Sequence, residues 1–289
     1  MFNWRIIFTT VLLLATSVSR APAGTAHVRA ELVADVSTIA AGKPFWLGVR
    51  LTMDPGWHTY WKNPGDAGAA SKVKFDLPAG FVARPLQFPT PYRFDQAGNI
   101  VAFGYEDSVM LMAEITPPAQ LPAGFTGEFK ALVSWLVCSD VCIPGKALLS
   151  LSLPSAEAAV SDHRALFDDW KSQVPVNAGS SDEAADAKAS GEIKPTGDSD
   201  SRVISLEIHW KSAVPEDIQF IPGVLENYNV QNVKVDSTGN STRITFNAAP
   251  LPGKNISPAT LDVVVGYKNK DGAHRGIVTT ISLPGADGK

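Results

Sequence analysis

Large apolar residues alternate with polar or small residues in several short stretches of the chain, and this period of two predicts β-strands. The stretch 45–53, for example, places Leu47, Val49 and Leu51 at every second position. Turns rich in Pro and Gly separate these stretches, and many short strands between turns are typical of β-sandwiches. The predicted strands are residues 45–53, 57–62, 109–115, 131–137 and 148–153 in a first block and residues 203–210, 243–246, 261–267 and 277–283 in a second.

The segment between the two blocks has a different pattern. Residues 155–173 carry apolar side chains at spacings that suit one face of a short helix, with Ser155 as its N-cap and Pro175 as its stop. Residues 177–195 are rich in Ala, Ser, Gly, Asp and Lys and contain almost no large apolar residue. This composition is typical of a flexible linker, so we expect a helix and linker over residues 155–200.

The second block, residues 201–289, has the size of one immunoglobulin-like sandwich, which contains about 100 residues. It has no cysteine and no cluster of His, Asp or Glu. The pattern therefore predicts a second β-sandwich domain with a structural or docking role.

The first 26 residues have the pattern of a secretory signal peptide. Arg5 precedes a mainly apolar run from Ile6 to Ala15, which is too short to span a bilayer, since a spanning helix needs about 20 apolar residues. Small residues then offer cleavage sites after Ala23 and after Ala26. We expect a protein exported to a compartment in which disulfides persist.

The composition excludes several classes of function. The net charge is −4 and no basic block is present, which argues against a nucleic-acid partner. The 23 Gly and 21 Pro residues fit an all-β chain with many turns. The sequence also lacks the GxSxG, HExxH and GxxxxGK[ST] motifs, so nothing indicates hydrolysis or phosphoryl transfer.

The only two cysteines, Cys138 and Cys142, lie four positions apart. A fully extended chain would separate their Cα atoms by roughly 13 Å, whereas a disulfide needs about 4.4–6.8 Å. The intervening Ser139 and Asp140 are turn residues. We therefore expect Cys138 at the end of one strand, a tight turn, and Cys142 at the start of the next segment.

The spacing alone leaves three roles open for this cysteine pair. As a structural bridge, the short loop would contribute only about 2 kcal/mol, against about 4.7 kcal/mol for a hundred-residue loop. As a redox pair, one thiol can resolve a mixed disulfide that the other forms. Metal binding is the third possibility. The spacing differs from the CxxC of thioredoxin-like enzymes, and the strand-like residues before Cys138 also argue against that fold.

Three segments together resemble a known family. They are Val133 to Pro144 around the cysteines, Gly56 to Asp66, and Phe103 to Glu106, in the same order along the chain. They are similar to the amino-terminal periplasmic domain of the DsbD thiol:disulfide interchange protein, and most resemble the subgroup that includes the suppressor of copper sensitivity protein B. The resemblance covers roughly residues 28–154, so we assign residues 27–154 to this type of domain.

This resemblance implies an immunoglobulin-like β-sandwich with a redox-active pair, Cys138 and Cys142. It implies that the pair receives electrons from a membrane-embedded protein or domain and passes them to thioredoxin-like periplasmic proteins, such as disulfide isomerases and cytochrome c maturation factors. No organic cofactor is expected, because the cysteines carry the two electrons themselves. The family pattern favours Cys142 as the residue that forms the mixed disulfide.

The resemblance also points to residues around the cysteines. An aromatic cap covers the pair in this family, and Tyr92 and Phe94 lie where the cap is expected. The matching segments add Tyr105 and Trp135 as supporting residues. Family members usually continue into a membrane domain and a thioredoxin domain, whereas this chain ends at Lys289. We therefore consider both the periplasmic part of a membrane protein and a stand-alone relative with a separate electron source.

Two polar residues near the cysteines have both a chemical and a structural interpretation. An imidazolium at His58 would lower the pKa of a nearby thiol, although packing within the surrounding aromatic cluster is the simpler role. The carboxylate of Asp140 would raise that pKa by like-charge repulsion, although a turn-forming role is simpler.

Two other functions remain as alternatives. Met53, Met110, Met112, His58 and the cysteines are soft ligands suited to Cu(I), which permits a copper-binding or copper-tolerance protein. Met110 and Met112 share one face of a predicted strand, however, which favours core packing, so we assign no metal ligands. The third possibility is a structural adaptor whose disulfide is inert.

Overall fold

The structure is a computed structural model that describes residues 23–96, 98, 100–180, 184–190, 202–224, 228–251 and 259–283. These residues are mostly β-strands with one α-helix, and they form two sandwiches, so the predicted all-β, immunoglobulin-like class is confirmed. No helix among them is both long and apolar enough to cross a membrane. Residues 1–22 of the predicted signal peptide lie outside the described residues, and Ala23–Thr25 pair with the strand that follows.

The strands of the first domain are numbered in chain order. They are β1 (Ala23–Thr25), β2 (Val28–Ala34), β3 (Val36–Thr38), β4 (Phe45–Met53), β5 (His58–Gly65), β6 (Lys72–Asp76), β7 (Val82–Ala83), β8 (Tyr92–Gln96), β9 (Ile100–Glu106), β10 (Ser108–Thr116), β11 (Thr126–Cys138), β12 (Cys142–Pro154) and β13 (Ala159–Val160). Every strand predicted in this block is confirmed, and the long β11–β12 hairpin extends well beyond its predicted ends.

Two sheets face each other in the first domain. Sheet I has the order β1-β2-β4-β10-β7, and sheet II has the order β12-β11-β5-β9-β8, with β6 also pairing with β11. Their inner faces form one apolar core, in which Phe45 of sheet I contacts Phe129 of sheet II edge to face, with 5.6 Å between the ring centroids. The alternation of apolar residues along each strand places one side of each sheet in this core.

The one helix, α1 (Arg164–Ser172), packs on the first domain through buried Phe167 and Trp170. The spacing predicts Val160, Phe167 and Trp170 on the buried face, but Val160 is exposed and lies before the helix. The predicted N-cap at Ser155 is also wrong, because His163 precedes the first helical residue. Residues 155–163 instead form a connecting segment with bends and a turn, within which Ala159–Val160 pair with β3. Backbone pairing with a neighbouring strand therefore outweighs the local helical pattern at this point.

The second domain also consists of two sheets. Its strands are β14 (Val176–Asn177), β15 (Ala184–Ser190), β16 (Arg202–Trp210), β17 (Glu216–Pro222), β18 (Tyr228–Thr238), β19 (Ser241–Pro250), β20 (Ala259–Lys268) and β21 (His274–Leu283), with a 3-10 turn at Ala178–Ser180. Sheet III has the order β14-β21-β20-β17, and sheet IV has the order β15-β16-β19-β18. Their facing sides bury a second apolar core that includes Trp210, Phe246 and Tyr267.

The predicted flexible linker is wrong for Ala184–Ser190, which form strand β15 at the edge of sheet IV. An open strand edge offers backbone donors and acceptors to any chain that can extend along it, whatever its side chains. The small polar residues of this segment are therefore compatible with a strand. Residues 191–200 of the predicted linker lie outside the described residues.

The two domains are packed against each other. Ile221 of β17 and Val264 of β20 belong to the apolar core of the first domain, not to that of the second. The Asn63 amide of the first domain donates hydrogen bonds to the carbonyl oxygens of Pro222 and Gly223 at 2.9 and 3.1 Å. The second sandwich therefore forms a direct interface with the first and is not connected to it by the chain alone.

Replacing Asp35 by Ala is expected to destabilise the first domain by about 1–3 kcal/mol, the cost of leaving buried polar groups without a partner. The buried Asp35 carboxylate accepts a hydrogen bond from the Trp46 backbone N–H at 2.7 Å. It also lies 3.6 Å from Arg164 and 3.7 Å from Lys171 of α1. The loss is measured as a shift of the urea unfolding midpoint.

The matched control is Asp168→Ala, which removes an exposed carboxylate that pairs with the same two cations of α1. Exposed ion pairs contribute little, so we expect a change below about 1 kcal/mol. Equal losses for Asp35→Ala and Asp168→Ala would show that the buried carboxylate does not hold the helix in place.

Candidate functional site

The two cysteines close the β11–β12 hairpin. Cys138 ends β11, Cys142 begins β12, and the two residues lie directly opposite each other in the strand register. Their Cα atoms are 4.2 Å apart and their sulfur atoms form a disulfide. The Ser139 backbone N–H donates to the Val141 carbonyl oxygen at 3.1 Å within the three-residue turn. The predicted strand, turn and strand around the pair are confirmed.

The two halves of the disulfide differ in exposure. Only 2% of the Cys138 surface is accessible, whereas Cys142 lies exposed in the turn beside Ser139, Asp140 and Val141, which are exposed as well. An attacking thiolate must approach the sulfur that it substitutes. Cys142 is therefore the accessible position of the pair, and Cys138 is the sheltered one.

A small apolar cluster, which we call the disulfide cluster, covers the sheltered cysteine on the outer face of sheet II. Its buried members are Tyr60 of β5, Ala102 of β9 and Cys138, and the partly buried Phe94 of β8 and Leu136 of β11 pack against them. This cluster is separate from the sandwich core on the opposite face of the same sheet. Phe94, predicted as a cap residue, thus lies in the disulfide cluster.

His58 is buried at the edge of this cluster, opposite Cys138 in the β5–β11 register. Its ring stacks on Phe94 with 5.2 Å between the centroids, and its Nε2 lies 3.3 Å from the Tyr60 hydroxyl. Burial lowers the pKa of the imidazole, and the Glu106 carboxylate offsets part of this effect. A neutral ring is favoured near pH 7, so the geometry supports aromatic packing and not an imidazolium beside the thiol.

Gln96 and Tyr60 complete the polar rim of the cluster. The Gln96 amide nitrogen lies 3.5 Å from the Nε2 atom of His58. Burial raises the pKa of the Tyr60 phenol, and its hydrogen bond with Gln96 acts in the opposite direction. Gln96 ends strand β8, two residues after Phe94, so the strand that carries the cap residue also contacts both polar rings.

Tyr105 and Trp135 are not near the disulfide cluster. Both point into the sandwich core, on the face of sheet II opposite the cysteines. Tyr105 donates a hydrogen bond to the Pro89 carbonyl oxygen at 2.8 Å, and complete burial raises the pKa of its phenol well above the ordinary value. Trp135 is three residues from Cys138, and successive side chains of a strand alternate between faces. An odd spacing therefore places the two residues on opposite faces.

Tyr92 and Asp140 also lie outside the cluster. The Tyr92 ring stacks on His274 of the second domain, with 4.1 Å between the centroids, and burial together with nearby carboxylates raises the pKa of its phenol. Asp140 is exposed at the tip of the cysteine turn. Of the six supporting residues that the sequence suggested, the structure thus brings Phe94 and His58 to the cluster.

Sequence reasoning missed Tyr60, Ala102, Leu136 and Gln96 as neighbours of the pair. A signal existed for Tyr60 and Leu136, because each is two positions from His58 or Cys138 and therefore shares its face. The same spacing from the predicted cap residue Phe94 points to Gln96. Ala102 could not be found in this way, since its position depends on the pairing of β9 with β5 and β8.

The copper-binding alternative has no matching ligand cluster in the described part of the chain. No three His, Cys, Asp or Glu residues there are grouped closely enough to hold a metal ion. Met110 and Met112 are completely buried core residues, as their alternation predicts. Met53 is also buried, and its sulfur lies 3.9 Å from the Thr59 hydroxyl.

Comparison with solved structures shows a similarity that extends over most of the chain. The N-terminal periplasmic domain of ScsB from Proteus mirabilis has a TM-score of 0.64 and 19% sequence identity, and the alignment covers 89% of this chain and 94% of that one. Both sandwich domains of this chain therefore fall within the fold of that domain. The reduced N-terminal domain of DsbD from Neisseria meningitidis aligns over 44% of this chain and 90% of its own, with 15% identity and a TM-score of 0.28.

A search of curated proteins finds no match. The family model for the N-terminal domain of the thiol:disulfide interchange protein DsbD matches residues 27–154. The matched range coincides with the first sandwich and contains both cysteines and the cluster around them. The first sandwich of this chain therefore matches the family of DsbD N-terminal domains, and the fold of its two sandwiches together is similar to that of the ScsB periplasmic domain.

Proposed function

We propose that the chain is a periplasmic protein-disulfide reductase module that relays two electrons through Cys138 and Cys142 to thioredoxin-like proteins. The observation that carries this proposal is the unequal exposure of the two cysteines, with Cys142 open to a partner and Cys138 sheltered in the disulfide cluster. The family supplies the reaction class, thiol-disulfide interchange. A membrane-embedded protein or domain is the proposed electron donor.

The relay consists of two balanced exchange reactions. In the first, a donor thiolate attacks the Cys142 sulfur, the Cys138–Cys142 bond breaks, and Cys138 leaves as a thiolate. The second donor thiol then attacks the mixed disulfide and releases Cys142, which leaves the donor oxidised and the pair reduced. In the second reaction, the Cys142 thiolate attacks the disulfide of an acceptor, and Cys138 resolves the mixed disulfide, so the acceptor leaves reduced.

In this proposal Phe94 is the cap of the disulfide. The support is its position on β8 beside buried Cys138 and stacked on His58. The ring forms part of the apolar cover of Cys138, the sulfur that leaves as a thiolate when a partner attacks exposed Cys142. Moving the cap aside opens Cys138 to solvent and eases its departure as a thiolate, whereas the closed position disfavours that step because apolar burial raises the pKa of a thiol.

Titration of the chain against glutathione buffers tests the redox role. We expect a reduction potential less negative than about −300 mV, since structural disulfides of secreted proteins lie below that value. The oxidised and reduced forms are separated by alkylation and mass measurement. A pair that stays oxidised throughout the glutathione range would support an inert bridge and contradict the relay.

A Phe94→Ala variant tests the cap. Removing the ring is expected to increase the rate of disulfide reduction by dithiothreitol by roughly fivefold or more, the effect of losing about 1 kcal/mol of packing. Phe88→Ala is a suitable control, because Phe88 packs against the sandwich core and not in the disulfide cluster. An unchanged rate for Phe94→Ala would remove the cap from the proposal without affecting the relay.

A further inference from the structure

The second domain contacts the segment that leads into the cap strand. Thr90 is buried, and its side chain lies against Gly266 and Gly276 of sheet III. The next residue, Pro91, accepts a hydrogen bond from the Nε2 atom of His274 at 3.1 Å. The sequence predicts only a structural or docking role for the second domain, and in the structure this domain holds the residues that immediately precede β8.

Contacts continue onto β8 itself. The Tyr92 ring stacks on the His274 ring with an interplanar angle of 17°, and the Arg93 backbone N–H donates to the Gln219 side-chain oxygen at 3.0 Å. Gln219 belongs to β17, the edge strand of sheet III, and β8 is the edge strand of sheet II. We refer to Gln219 and His274 together as the interdomain clamp.

The clamp acts on the strand that positions Phe94. Tyr92 and Phe94 are two residues apart on one strand, so their side chains point to the same face, and a shift of one moves the other. Within sheet II, β8 pairs only with β9. The clamp therefore supplies the contacts on the other edge of a strand of five residues. Without these contacts, the backbone of β8 would be held by its pairing with β9 alone.

We infer that the interdomain clamp holds the β8–β9 hairpin closed over Cys138 and so sets the rate at which thiols reduce the Cys138–Cys142 disulfide. The inference rests on the proposed function, because it assumes that Phe94 is the cap. It gives the second domain a role in the same reaction: Gln219 and His274 are positioning residues that act through the cap and touch neither the disulfide nor a partner.

The burial of His274 supports a rigid contact. Only 6% of the residue is exposed, and burial lowers the pKa of its imidazole. Its Nε2 atom bonds to the Pro91 carbonyl oxygen, and its buried Nδ1 atom has no hydrogen-bond partner among the described residues. A neutral ring with the proton on Nε2 fits both observations, because Pro91 then receives a donor and no additional proton is buried.

Gln219→Ala and His274→Ala in the full chain test the clamp. Each is expected to increase the rate of disulfide reduction by dithiothreitol about fivefold, the change in an equilibrium that the loss of one net hydrogen bond produces. The reduction potential is expected to stay unchanged, since the cysteines keep their own environment. His209→Ala is the control, because His209 bonds to Ser241 within the second domain. Thermal unfolding of each variant verifies that it is folded.

A double-variant cycle distinguishes an effect of the clamp that acts through Phe94 from a general loss of stability that speeds reduction by another route. If the clamp acts through the cap, Gln219→Ala adds less than about twofold in a Phe94→Ala background, the usual limit of additivity for independent sites. The same acceleration with and without Phe94 would overturn the inference. So would unchanged rates for Gln219→Ala and His274→Ala while Phe94→Ala accelerates reduction, an outcome that leaves the proposed function intact. No effect of Phe94→Ala would remove the cap, and the clamp with it.

Discussion

A Cys138→Ser variant is expected to form a stable covalent complex with a thioredoxin-like protein, and a Cys142→Ser variant is expected to form none. Cys142 is exposed at the hairpin turn, so its thiolate can attack the disulfide of a partner. Cys138 is 2% exposed beneath the disulfide cluster, so alone it cannot reach one. Without the Cys138 thiol, no thiol of this chain resolves the mixed disulfide at Cys142. The thioredoxin-like partner is used with a single cysteine, preloaded as a mixed disulfide with a small thiol that leaves when Cys142 attacks, so that no partner thiol reverses the reaction and the complex accumulates.

Electron relay is expected to be lost entirely in both variants, because the transfer of two electrons needs both thiols. Non-reducing electrophoresis and mass measurement detect the complex, and the double variant Cys138→Ser/Cys142→Ser is the control without any thiol. All three proteins lose the disulfide that closes this short loop, so each should be less stable than the oxidised chain by only about 2 kcal/mol. A complex with Cys142→Ser and none with Cys138→Ser would exchange the two roles. Full relay activity in both variants would refute the redox function.

Gly104→Ala is expected to destabilise the chain by about 1–3 kcal/mol, the usual cost of forcing extra volume into a packed interior. A Cβ atom at Gly104 would overlap the Thr59 carbonyl oxygen and lie 3.1 Å from the Cα atom of Tyr60. Both neighbours are backbone atoms of β5, so they cannot rotate away as the end of a side chain can. The added methyl group must therefore push β9 away from β5.

This displacement also affects the site, since Gly104 lies opposite both Tyr60 of β5 and Tyr92 of β8. We expect a lower urea midpoint and faster reduction of the disulfide by dithiothreitol. Gly179→Ala is the matched control, because a Cβ atom there meets nothing within 4 Å. Its stability should change by less than about 0.5 kcal/mol. An unaltered midpoint for Gly104→Ala would show that β5 and β9 can separate at little cost.

The candidate site was partly predictable. The positions of Cys138 and Cys142 in a strand, turn and strand follow from local rules, because turn residues lie between them and the disulfide distance limits the geometry. Phe94 was found through the family resemblance. Trp135 and Tyr105 were placed at the site because they lie in matching segments, but a matching segment does not reveal which face of a strand a residue occupies.

The errors in the fold have a common physical cause. The segment Ala184–Ser190 has the composition of a linker, yet it pairs with β16 through its backbone. Ser155 has the chemistry of a helix N-cap, yet its backbone N–H donates to the Phe125 carbonyl oxygen, and the helix begins at Arg164. In both places a distant strand supplied hydrogen-bond partners that no local window of the sequence contains.

The sequence by itself determined the all-β class, nine of the strands in the two sandwiches and the position of the cysteine pair, because a period of two and turn residues act over a few positions. Only the tertiary structure decided that Cys142 is exposed while Cys138 is sheltered by Tyr60 and Phe94. It alone placed Gln219 and His274 against the cap strand, more than a hundred positions away along the chain. Such contacts depend on how strands pair and how sheets dock, and these are set by packing between residues far apart in the sequence.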